Sequence, residues 1–434
     1  MFQLFKQRNF SFYWLSHLIS VIGDHVTLVA FPWLALQLTD SVAMMGLVAA
    51  VQGLPRALLM LTGGAVVDRS TPRRIIQMTN VVRMILVAIL AVALYQDQAS
   101  IELLFGVALG FGLCEAFFFP ASTAILPAII EEDELQAGNA IIHTTSWLSL
   151  IIGPVLAGFL IAGEFNTTMM HELDAVTGST YDTDRAGLAR AFAFDALTFF
   201  LSFLALIFVA GRPLHADERD DQKGLLGQIG EALYFVWQVP ALKLVFIGIA
   251  LLDFLYQAPV FVGLPALAKA RFEDGVAVFS LWLAGYGTGS LLGAIVGGTM
   301  QPLLGKRLVR LTFLAFAWSG ASLAFAVFGT SWWWPMIVFG IAGFFDNLVW
   351  VHMMTWIQKV SPKPLLGRVM SVFMFLSVGL LPIAYGVAGL VFEINLEGTL
   401  VIMSASMVII CLVCAFHPNA GRVHFEGDRE RLPS

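Results

Sequence analysis

The hydrophobic positions of this chain form long continuous runs rather than short or alternating ones. Twelve apolar spans are each bounded by charged or turn residues. They cover approximately 11–37, 42–66, 75–95, 100–127, 138–162, 190–211, 241–267, 276–300, 308–329, 332–357, 368–392 and 398–417. Since about 20 apolar residues cross a bilayer core as a helix, each run predicts one membrane-spanning helix. A β-barrel would show short alternating segments instead, so the pattern excludes it.

The composition supports this prediction of an all-α integral membrane protein. Hydrophobic residues make up 58% of the 434 positions and charged residues only 12%. Soluble domains carry about 25% charged residues, so an ordinary soluble enzyme is excluded. The opening MFQLFKQRN leads directly into the first span without a small-residue cleavage site, and we therefore expect no cleaved signal peptide.

Lysine and arginine predict the orientation, because cytoplasmic segments carry an excess of them. With the N-terminus in the cytoplasm, 18 of the 24 basic residues fall in cytoplasmic segments and 4 in outer loops. The other two, Arg56 and Arg83, lie within spans. Both termini are therefore expected on the cytoplasmic side.

The chain also predicts two halves of six spans each. A hydrophilic stretch divides the spans, and its second part, GLLGQIGEALYFVWQ, is typical of an amphipathic helix on the membrane surface. We expect an N-terminal six-helix bundle at 1–211, a cytoplasmic linker at 212–240, a C-terminal six-helix bundle at 241–417 and a cytoplasmic tail at 418–434.

Matching residues recur between the halves at an offset of 228 or 229 positions. The segment Phe111-Gly112 matches Phe339-Gly340, and Asp24 matches Asp253. Pro154 and Gly158 likewise match Pro382 and Gly386. A repeat of six spans is typical of transporters in which two bundles rock about a central site.

The loop after the second span reads GGAVVDRSTPRR and resembles the conserved-motif loop of the major facilitator superfamily. Its positions are taken by Gly64, Asp68, Arg69, Arg73 and Arg74. The segment STP adds one residue, and no glycine precedes the arginines. The resemblance implies a fold of twelve helices in two pseudo-symmetric bundles, and a gating loop that locks the outward-facing state. Positive charge that only sets the topology is the alternative.

Span 5 contains TTSWLSLIIGPVLAGFL, with Gly153, Pro154 and Gly158 near its centre. This resembles the helix motif of drug–proton antiporters in the superfamily, with Thr and Ser at two upstream glycine positions. Ordinary helix packing by small residues is the alternative. The opening LFKQRNFSFYWLSHLISVIGD and the segment FFFPASTAILPAI resemble the branch that contains macrolide efflux proteins and enterobactin exporters. This resemblance implies export across a bacterial inner membrane by a monomer. The branch often has an arginine where Ser122 and Thr123 stand here.

Carboxylates in the middle of spans are the candidate functional groups, because a charge at the bilayer centre costs several kcal/mol. Asp24 shares one helix face with His17, Ser20 and Thr27. By the architecture of the superfamily, Asp24 and Asp253 would face each other across a central cavity and carry protons or bind cations. A structural hydrogen bond to a neighbouring helix is the alternative for each.

Two further carboxylates and two arginines complete this set of candidates. Glu115 lies in the middle of span 4 and Asp346 lies in span 10, where either could bind a proton or substrate. Arg56 is deep enough in its span to pair with a carboxylate. Arg83 is also a candidate partner for these acids, but it is expected near a helix end, with its charge extending to the membrane surface.

The sequence contains no phosphate-binding glycine loop, no nucleophile–base set and no metal-ligand spacing. We therefore expect no enzyme, no cofactor and no nucleic-acid partner. The energy for transport would come from a gradient of protons, or of Na⁺. The hypothesis is a proton-coupled antiporter that exports a lipophilic small molecule, either a drug or a siderophore-like compound. A narrow-specificity carrier or symporter and a non-transporting membrane receptor are the alternatives.

Overall fold

The structure is a computed structural model that describes residues 2–68, 70–163, 180–210, 225–300, 308–362 and 365–417. Within these ranges the chain is helical and contains no β-strand. Twelve helices there are long and apolar enough to cross a membrane. The protein is therefore a multi-pass helical membrane protein, as the hydrophobic pattern predicts.

The first half contributes six long helices. They are α1 (Arg8–Thr39), α2 (Val42–Asp68), α3 (Pro72–Tyr95), α4 (Ile101–Ile129), α5 (Leu135–Ala162) and α6 (Thr180–Ile207). The next helix, α7 (Leu225–Gln238), coincides with the predicted amphipathic segment.

The second half contains eight further helices. They are α8 (Pro240–Leu252), α9 (Leu264–Arg271), α10 (Gly275–Thr299), α11 (Leu308–Phe328), α12 (Trp333–Val360), α13 (Leu366–Met374), α14 (Leu381–Ile394) and α15 (Leu396–Phe416). Two π-helical segments, Asp253–Gln257 and Pro259–Gly263, join α8 to α9 within one span. A third, Phe375–Gly379, joins α13 to α14. Segments of this kind are frequent at functional sites, and one of them begins at a candidate carboxylate.

The predicted spans agree with these helices to within a few residues, with one exception. Span 6 was expected to begin near residue 190, and α6 begins at Thr180. The loop side of this span carries Asp182, Asp184 and Arg185. A hydropathy pattern leaves such charged residues out of a span although they continue its helix.

The helices form two bundles that meet along two helix pairs. Within the first half α1 packs against α5 and α6, and α3 packs against α4 and α6. Within the second half α10 packs against α12, and α11 against α12 and α15. The bundles meet where α2 packs on α14 and where α5 packs on α10. This arrangement confirms the predicted twelve-helix, two-bundle fold.

The sequence repeat places a glycine at both of these contacts. A Cβ built on Gly158 of α5 would lie 3.1 Å from the Ser280 side chain of α10. One built on the matching Gly386 of α14 would lie 3.5 Å from the Ala50 Cβ of α2. Small residues at both positions allow the helices of the two bundles to approach closely.

Capping residues define several helix ends. The Ser100 side chain accepts a hydrogen bond from Leu103 N at the start of α4. Pro72 occupies the first turn of α3, where its missing N–H is not needed. Asp40 ends α1 in the left-handed conformation, and its N–H bonds to Leu36 O.

Helix α3 has an exposed apolar face and, opposite to it, a face that is buried in the bundle. Five large side chains at alternating steps of four and three residues are exposed, namely Met78, Val82, Ile85, Ile89 and Val92. The opposite face carries Asn80 and Arg83, both buried in the bundle. An exposed apolar stripe of this kind would be anomalous in water and is expected against lipid.

Close packing of α10 on α12 depends on glycine. The backbone of Gly289 lies so close to the carbonyl oxygen of Gly340 that no Cβ fits between them. Gly293 is equally close to the carbonyl of Phe344. The contact lies within the second bundle and not between the two bundles.

Gly289→Leu is therefore expected to destabilise the protein by about 1–3 kcal/mol or more, since overpacking forces the helices apart. The measurement is thermal unfolding of the purified protein in detergent. Gly298→Leu is the matched control, because a Cβ at this position of α10 would meet no atom within 4 Å. Equal midpoints for the two variants would contradict the tight packing of α10 on α12.

Candidate functional site

A cavity of about 520 Å³ lies within the first bundle and reaches the second. Helices α1 to α5 contribute most of its lining, and Phe261 and Tyr385 come from the second bundle. The lining extends to Asn139 and His143, near the start of α5. The cavity thus extends toward the end of the bundles where α1 and α5 begin, and we call this end the open end.

Asp24 lies on the wall of this cavity and pairs with an arginine. Arg83 Nη1 donates to Asp24 Oδ1 at 3.2 Å. The Asp24 side chain is 30% exposed and the Arg83 side chain 2% exposed. The carboxylate therefore faces the cavity, with the guanidinium buried behind it. The positive charge of Arg83 thus explains how the Asp24 carboxylate is accommodated in the middle of a membrane span.

Arg83 is held from several sides and does not extend to the membrane surface, so that expectation was wrong. Its guanidinium lies 4.2 Å from the ring centre of Phe118 and 4.6 Å from that of Phe199. A second donor, Nη2, bonds to Asn80 Oδ1 at 2.8 Å. Asn80 in turn donates to Ser202 of α6. Cation–π contacts and hydrogen bonds thus compensate for the loss of water around this charge.

Asp195 of α6 is a carboxylate in the same cluster that the sequence reasoning missed. It is fully buried, and Thr27 Oγ1 of α1 donates to its Oδ2 at 2.5 Å. Gly23 makes room for it, since a Cβ there would overlap Asp195 Oδ1 and Thr198 Oγ1. The signal was present in the run AFAFDALTFF, where a single acid interrupts an apolar span as Asp24 does.

Glu115 and Arg56 form the second ion pair of the cavity. Arg56 Nη1 donates to Glu115 Oε2 at 3.0 Å, and the two side chains are 18% and 16% exposed. Gln52 Nε2 donates to the other carboxylate oxygen at 3.2 Å. The prediction that Arg56 pairs with a carboxylate is confirmed. The pair joins α2 to α4 and presents both signs of charge to the cavity.

The structure does not place Asp253 or Asp346 on the wall of this cavity. Asp253 is 2% exposed, and its Oδ2 has no hydrogen-bond partner. Asp346 accepts a hydrogen bond from Ser319 Oγ at 2.6 Å and a longer one from Tyr286 at 3.4 Å. The expectation that Asp24 and Asp253 face one cavity is therefore wrong. The π-helical segment that begins at Asp253 packs against helices of the second bundle, and this residue is buried there. Asp253 does lie close enough to Tyr385, which lines the cavity, to interact with it electrostatically.

The cavity wall also carries the two polar residues that stand where the branch resembled by the sequence often has an arginine. Ser122 and Thr123 both line it. His17 hydrogen-bonds Ser146 at 3.2 Å, and His25 bonds to a backbone carbonyl. The remaining lining is largely aromatic and aliphatic, which suits a lipophilic ligand with few polar groups.

The basic loop can be described only in part. Gly64 and Asp68 lie in the last turns of α2, whereas Arg69 lies outside the described residues. Arg73 Nη2 donates to Ile207 O at the end of α6, 3.2 Å away. Arg74 is exposed. Arg73 thus binds the C-terminal carbonyl end of a helix in its own bundle, a favourable place for a cation.

The residues of the span 5 motif pack in two directions. Gly153 lies against His25 and Ile22 of α1, and Gly158 lies against α10 of the other bundle. Pro154 is buried within α5, which continues through it. The motif therefore occupies the helix that joins the cavity wall to the bundle interface.

Polar contacts connect the two bundles at the end opposite the open end, where α1 ends and α2 begins. We call it the closed end. Lys269 of α9 donates to Asp40 Oδ1 at 3.0 Å and to Leu36 O at 3.2 Å. Glu393 of α14 accepts from Ser41 Oγ at 3.1 Å and from Ala43 N at 2.9 Å. The turn between α1 and α2 is thus bound from both sides by the second bundle.

Comparison with known proteins gives the family. The Major Facilitator Superfamily profile matches residues 13–386. The chain belongs to the major facilitator superfamily. The resemblance seen in the sequence is thereby confirmed, and the protein is a membrane transporter rather than an enzyme. Members of this superfamily bind small molecules and couple their movement to ion gradients.

Curated relatives of the chain are exporters of two kinds. It is 28% identical to the multidrug efflux pump Tap of Mycolicibacterium fortuitum over 409 residues, covering 92% of each chain. It is 24% identical to the enterobactin exporter EntS of Citrobacter koseri over 360 residues, covering 82% of this chain and 78% of that one.

Solved structures show the same fold at low identity. A POT family transporter in complex with a thioalcohol-conjugated peptide superposes with a TM-score of 0.72 at 13% identity, covering 96% of this chain and 97% of that one. A bacterial homologue of the lysosomal transporter Spinster superposes with a TM-score of 0.64 at 18% identity, covering 95% and 96%.

Proposed function

We propose that the protein is a secondary active exporter that moves a lipophilic small molecule out of the cell in exchange for protons. The observation that carries this proposal is the combination of a closed end bound by cross-bundle contacts with an ion-paired cavity that reaches the open end. An exporter must accept its substrate from the cytoplasm or the inner leaflet. The open end is the cytoplasmic one in the orientation predicted by the lysine and arginine distribution.

The cavity lining supports a lipophilic substrate that carries some charge. Phe31, Phe111 and Phe119 supply apolar surface, and Asp24 supplies a partly exposed carboxylate. The relatives are exporters of two kinds, a multidrug efflux pump in one case and an enterobactin exporter in the other. Broad drug export and narrow siderophore export are thus the two forms of this proposal.

The coupling ion is proposed to be the proton, because Asp24 and Glu115 are each paired with a guanidinium, whose positive charge opposes the binding of a metal cation beside it. Among the described residues no group of three or more His, Cys, Asp or Glu is arranged to hold a metal ion. Asp24 and Glu115 are the candidate proton carriers. The alternative coupling ion is Na⁺.

The proposal extends to the organisation of the whole chain. Residues 1–211 and 241–417 would form the two rocking bundles, joined by the linker 212–240 and followed by a tail at 418–434. The gating loop at Gly64 to Arg74 would close the open end when the closed end opens. A single chain contains both bundles and the cavity, so a monomer is proposed as the working unit.

Transport can be tested with purified protein in liposomes that contain an imposed pH gradient, acidic inside. Ethidium, a permanently charged dye, is expected to accumulate in the vesicles as protons leave. The membrane voltage is held at zero with potassium and valinomycin, so that only the proton gradient drives the dye. Accumulation driven by an outside-acidic gradient instead would contradict antiport and indicate a symporter.

Asp24→Asn is expected to abolish this gradient-driven accumulation, because the variant cannot exchange a proton at the cavity wall. Asp97→Asn is the matched control. Asp97 is an exposed acid that pairs with Arg185 outside the cavity, and asparagine tolerates its left-handed backbone. Equal accumulation by Asp24→Asn and the wild type would assign Asp24 a structural role. No movement of ethidium in any protein would favour the narrow siderophore form.

A further inference from the structure

The cluster around Arg83 contains two carboxylates for one guanidinium. Asp24 uses the guanidinium in an ion pair, as its Oδ1 lies 3.2 Å from Arg83 Nη1. Asp195 is fully buried, does not line the cavity, and forms no ion pair in the structure as described. An unpaired charge buried in a bundle costs several kcal/mol, so Asp195 is stable there only when neutral or newly paired.

The hydrogen bonds of Asp195 fit a carboxyl that carries a proton. Thr198 Oγ1 lies 2.8 Å from the backbone oxygen of Asp195 and 3.1 Å from its Oδ1. A threonine hydroxyl has one proton and can donate to only one of these oxygens. When Thr198 donates to the backbone oxygen, a proton on Asp195 Oδ1 completes the second contact. Thr27 then supplies the donor for Oδ2.

Arg83 has an unused donor in the same place. Its Nε is buried and has no hydrogen-bond partner. A buried donor without a partner costs about 1–3 kcal/mol, so the side chain gains from any rotation that supplies an acceptor. Asp195 lies close enough to Arg83 to interact with it electrostatically. An ionised Asp195 would be such an acceptor.

We propose that Asp195 is the proton-binding site of the transporter, and that Arg83 exchanges Asp24 for Asp195 when the proton leaves. The inference rests on the proposed antiport and deepens it. Asp24 then becomes the group that binds the substrate, and the substrate carries one positive charge.

The exchange conserves charge at each step. In the structure Arg83 and Asp24 are ionised and Asp195 holds its proton, so the cluster is neutral. The O–H bond of Asp195 breaks, and the proton passes through the Asp24 carboxylate to water in the cavity and leaves at the open end. Arg83 pairs with the ionised Asp195, and the freed Asp24 binds a lipophilic cation. The cluster with its substrate is again neutral.

The reverse exchange follows when the closed end has opened. A proton entering from that side reaches Asp195, and Arg83 returns to Asp24 and displaces the cation. One proton thus enters for each cation exported. A second cation cannot bind while Asp195 is protonated, because Arg83 then occupies Asp24.

The groups that face the cluster come from three other helices. Asp24 on α1 and Arg83 on α3 interact with Asp195 directly. Glu115 on α4 interacts with Asp24, and its own charge is balanced by Arg56. Cys114 on α4 lies close to Arg83. The uncompensated carboxyl of this cluster is therefore Asp195.

The test is binding of tetraphenylphosphonium to the purified protein in weakly buffered detergent solution, with a pH indicator present. The wild type is expected to release about one proton per bound cation, and to bind the cation about tenfold more weakly for each pH unit below the titration of the site. Asp195→Asn keeps Arg83 on Asp24, so this variant is expected to release no proton and to bind the cation at every pH as weakly as the wild type binds it in acid. In liposomes this variant should show no cation accumulation in response to a pH gradient.

Asp97→Asn is again the matched control. This variant is expected to release about one proton per bound cation, as the wild type does. Proton release from Asp195→Asn equal to that of the wild type would overturn the assignment of Asp195 while leaving proton antiport intact. Failure of the wild type to bind tetraphenylphosphonium would overturn the cationic substrate class. Failure of wild-type liposomes to respond to any pH gradient would instead overturn the proposed function itself.

A measurement on the wild type alone covers the case in which Asp195→Asn does not fold. The infrared band of a protonated buried carboxyl is expected to disappear when tetraphenylphosphonium binds. A carboxyl band that stays unchanged on saturation with the cation would overturn the proposal, because the site would then have kept its proton.

Discussion

Glu115→Leu is expected to lower the free energy of unfolding by about 3–5 kcal/mol, because it leaves Arg56 charged and without its partner in a mostly buried site. The two side chains are 18% and 16% exposed, so solvent compensates little. Gln52 would also lose the acceptor that it bonds at 3.2 Å. The measurement is thermal or chemical unfolding in detergent, together with ethidium accumulation in liposomes, which should be lost.

The double variant Arg56→Met/Glu115→Leu separates a structural role from a role in transport. Replacing both members of a buried ion pair by apolar residues is often neutral, so most of the stability should return. Transport is expected to remain lost, since the cavity then lacks one acid and one base. Recovery of both properties would show that the pair only holds α2 against α4.

Glu397→Leu provides the comparison for a surface ion pair. Glu397 pairs with Arg271 and is 55% exposed, so its loss should change stability by no more than about 1 kcal/mol. A cost at Glu115 as small as this would contradict the buried environment described for the cavity pair.

The fold was largely predictable because the bilayer imposes a simple rule on the sequence. Every backbone polar group within lipid must be bonded inside the protein, so an apolar run of sufficient length has few alternatives to a helix. The exception at the start of α6 follows from the same rule. The charged residues at 182–185 lie beyond the apolar run, and hydropathy carries no information about how far the helix extends past it.

The buried position of Arg83 could have been predicted from the face of α3 on which it lies, rather than from its distance to the helix end. Met78, Val82 and Ile85 mark the lipid-facing stripe of α3, and Arg83 lies on the opposite face with Asn80. A basic residue on the inner face of a helix needs a partner inside the bundle. Arg56 was assigned such a partner from its depth alone, and that assignment is confirmed.

Other features of the site depend on contacts that no single span reveals. Asp195 is recognisable as an isolated acid, but its place beside Asp24 requires α6 to pack on α1 at Gly23. Asp253 matches Asp24 by the sequence repeat, yet the π-helical segment that it begins packs it inside the second bundle. The repeat predicts equivalent helices, and it does not predict the local winding that turns a side chain toward or away from a cavity.

Removal of the contacts at the closed end is expected to have the largest effect on the conformation of the protein. Lys269 binds the Leu36 carbonyl in the last turn of α1, where a cation is favoured, and Glu393 binds the first turn of α2, where an anion is favoured. The ion pair with Asp40 is largely exposed and contributes little alone. Together the contacts should contribute about 1–2 kcal/mol, which corresponds to a change of about 5- to 30-fold in the ratio of two conformations.

Lys269→Gln/Glu393→Gln is therefore expected to shift the population toward the conformation in which the closed end is open. Spin labels at Met44 of α2 and Ile394 of α14 would report this by pulsed electron resonance as a longer distance across that end. Both positions are exposed, so the labels should not disturb packing.

The matched control is Arg271→Gln/Glu397→Gln, which removes the same kind of charges at the same end. Arg271 on α9 and Glu397 on α15 belong to one bundle, so their pair does not cross the interface. We expect this control to leave the label distance unchanged. A shift of equal size in both double variants would show that general loss of charge, and not the contacts made by Lys269 and Glu393, sets the conformation. An unchanged distance in Lys269→Gln/Glu393→Gln would instead place the closing free energy in the apolar contacts of α2 with α14, where Gly46 lies against Gly389 and Gly53 against Pro382.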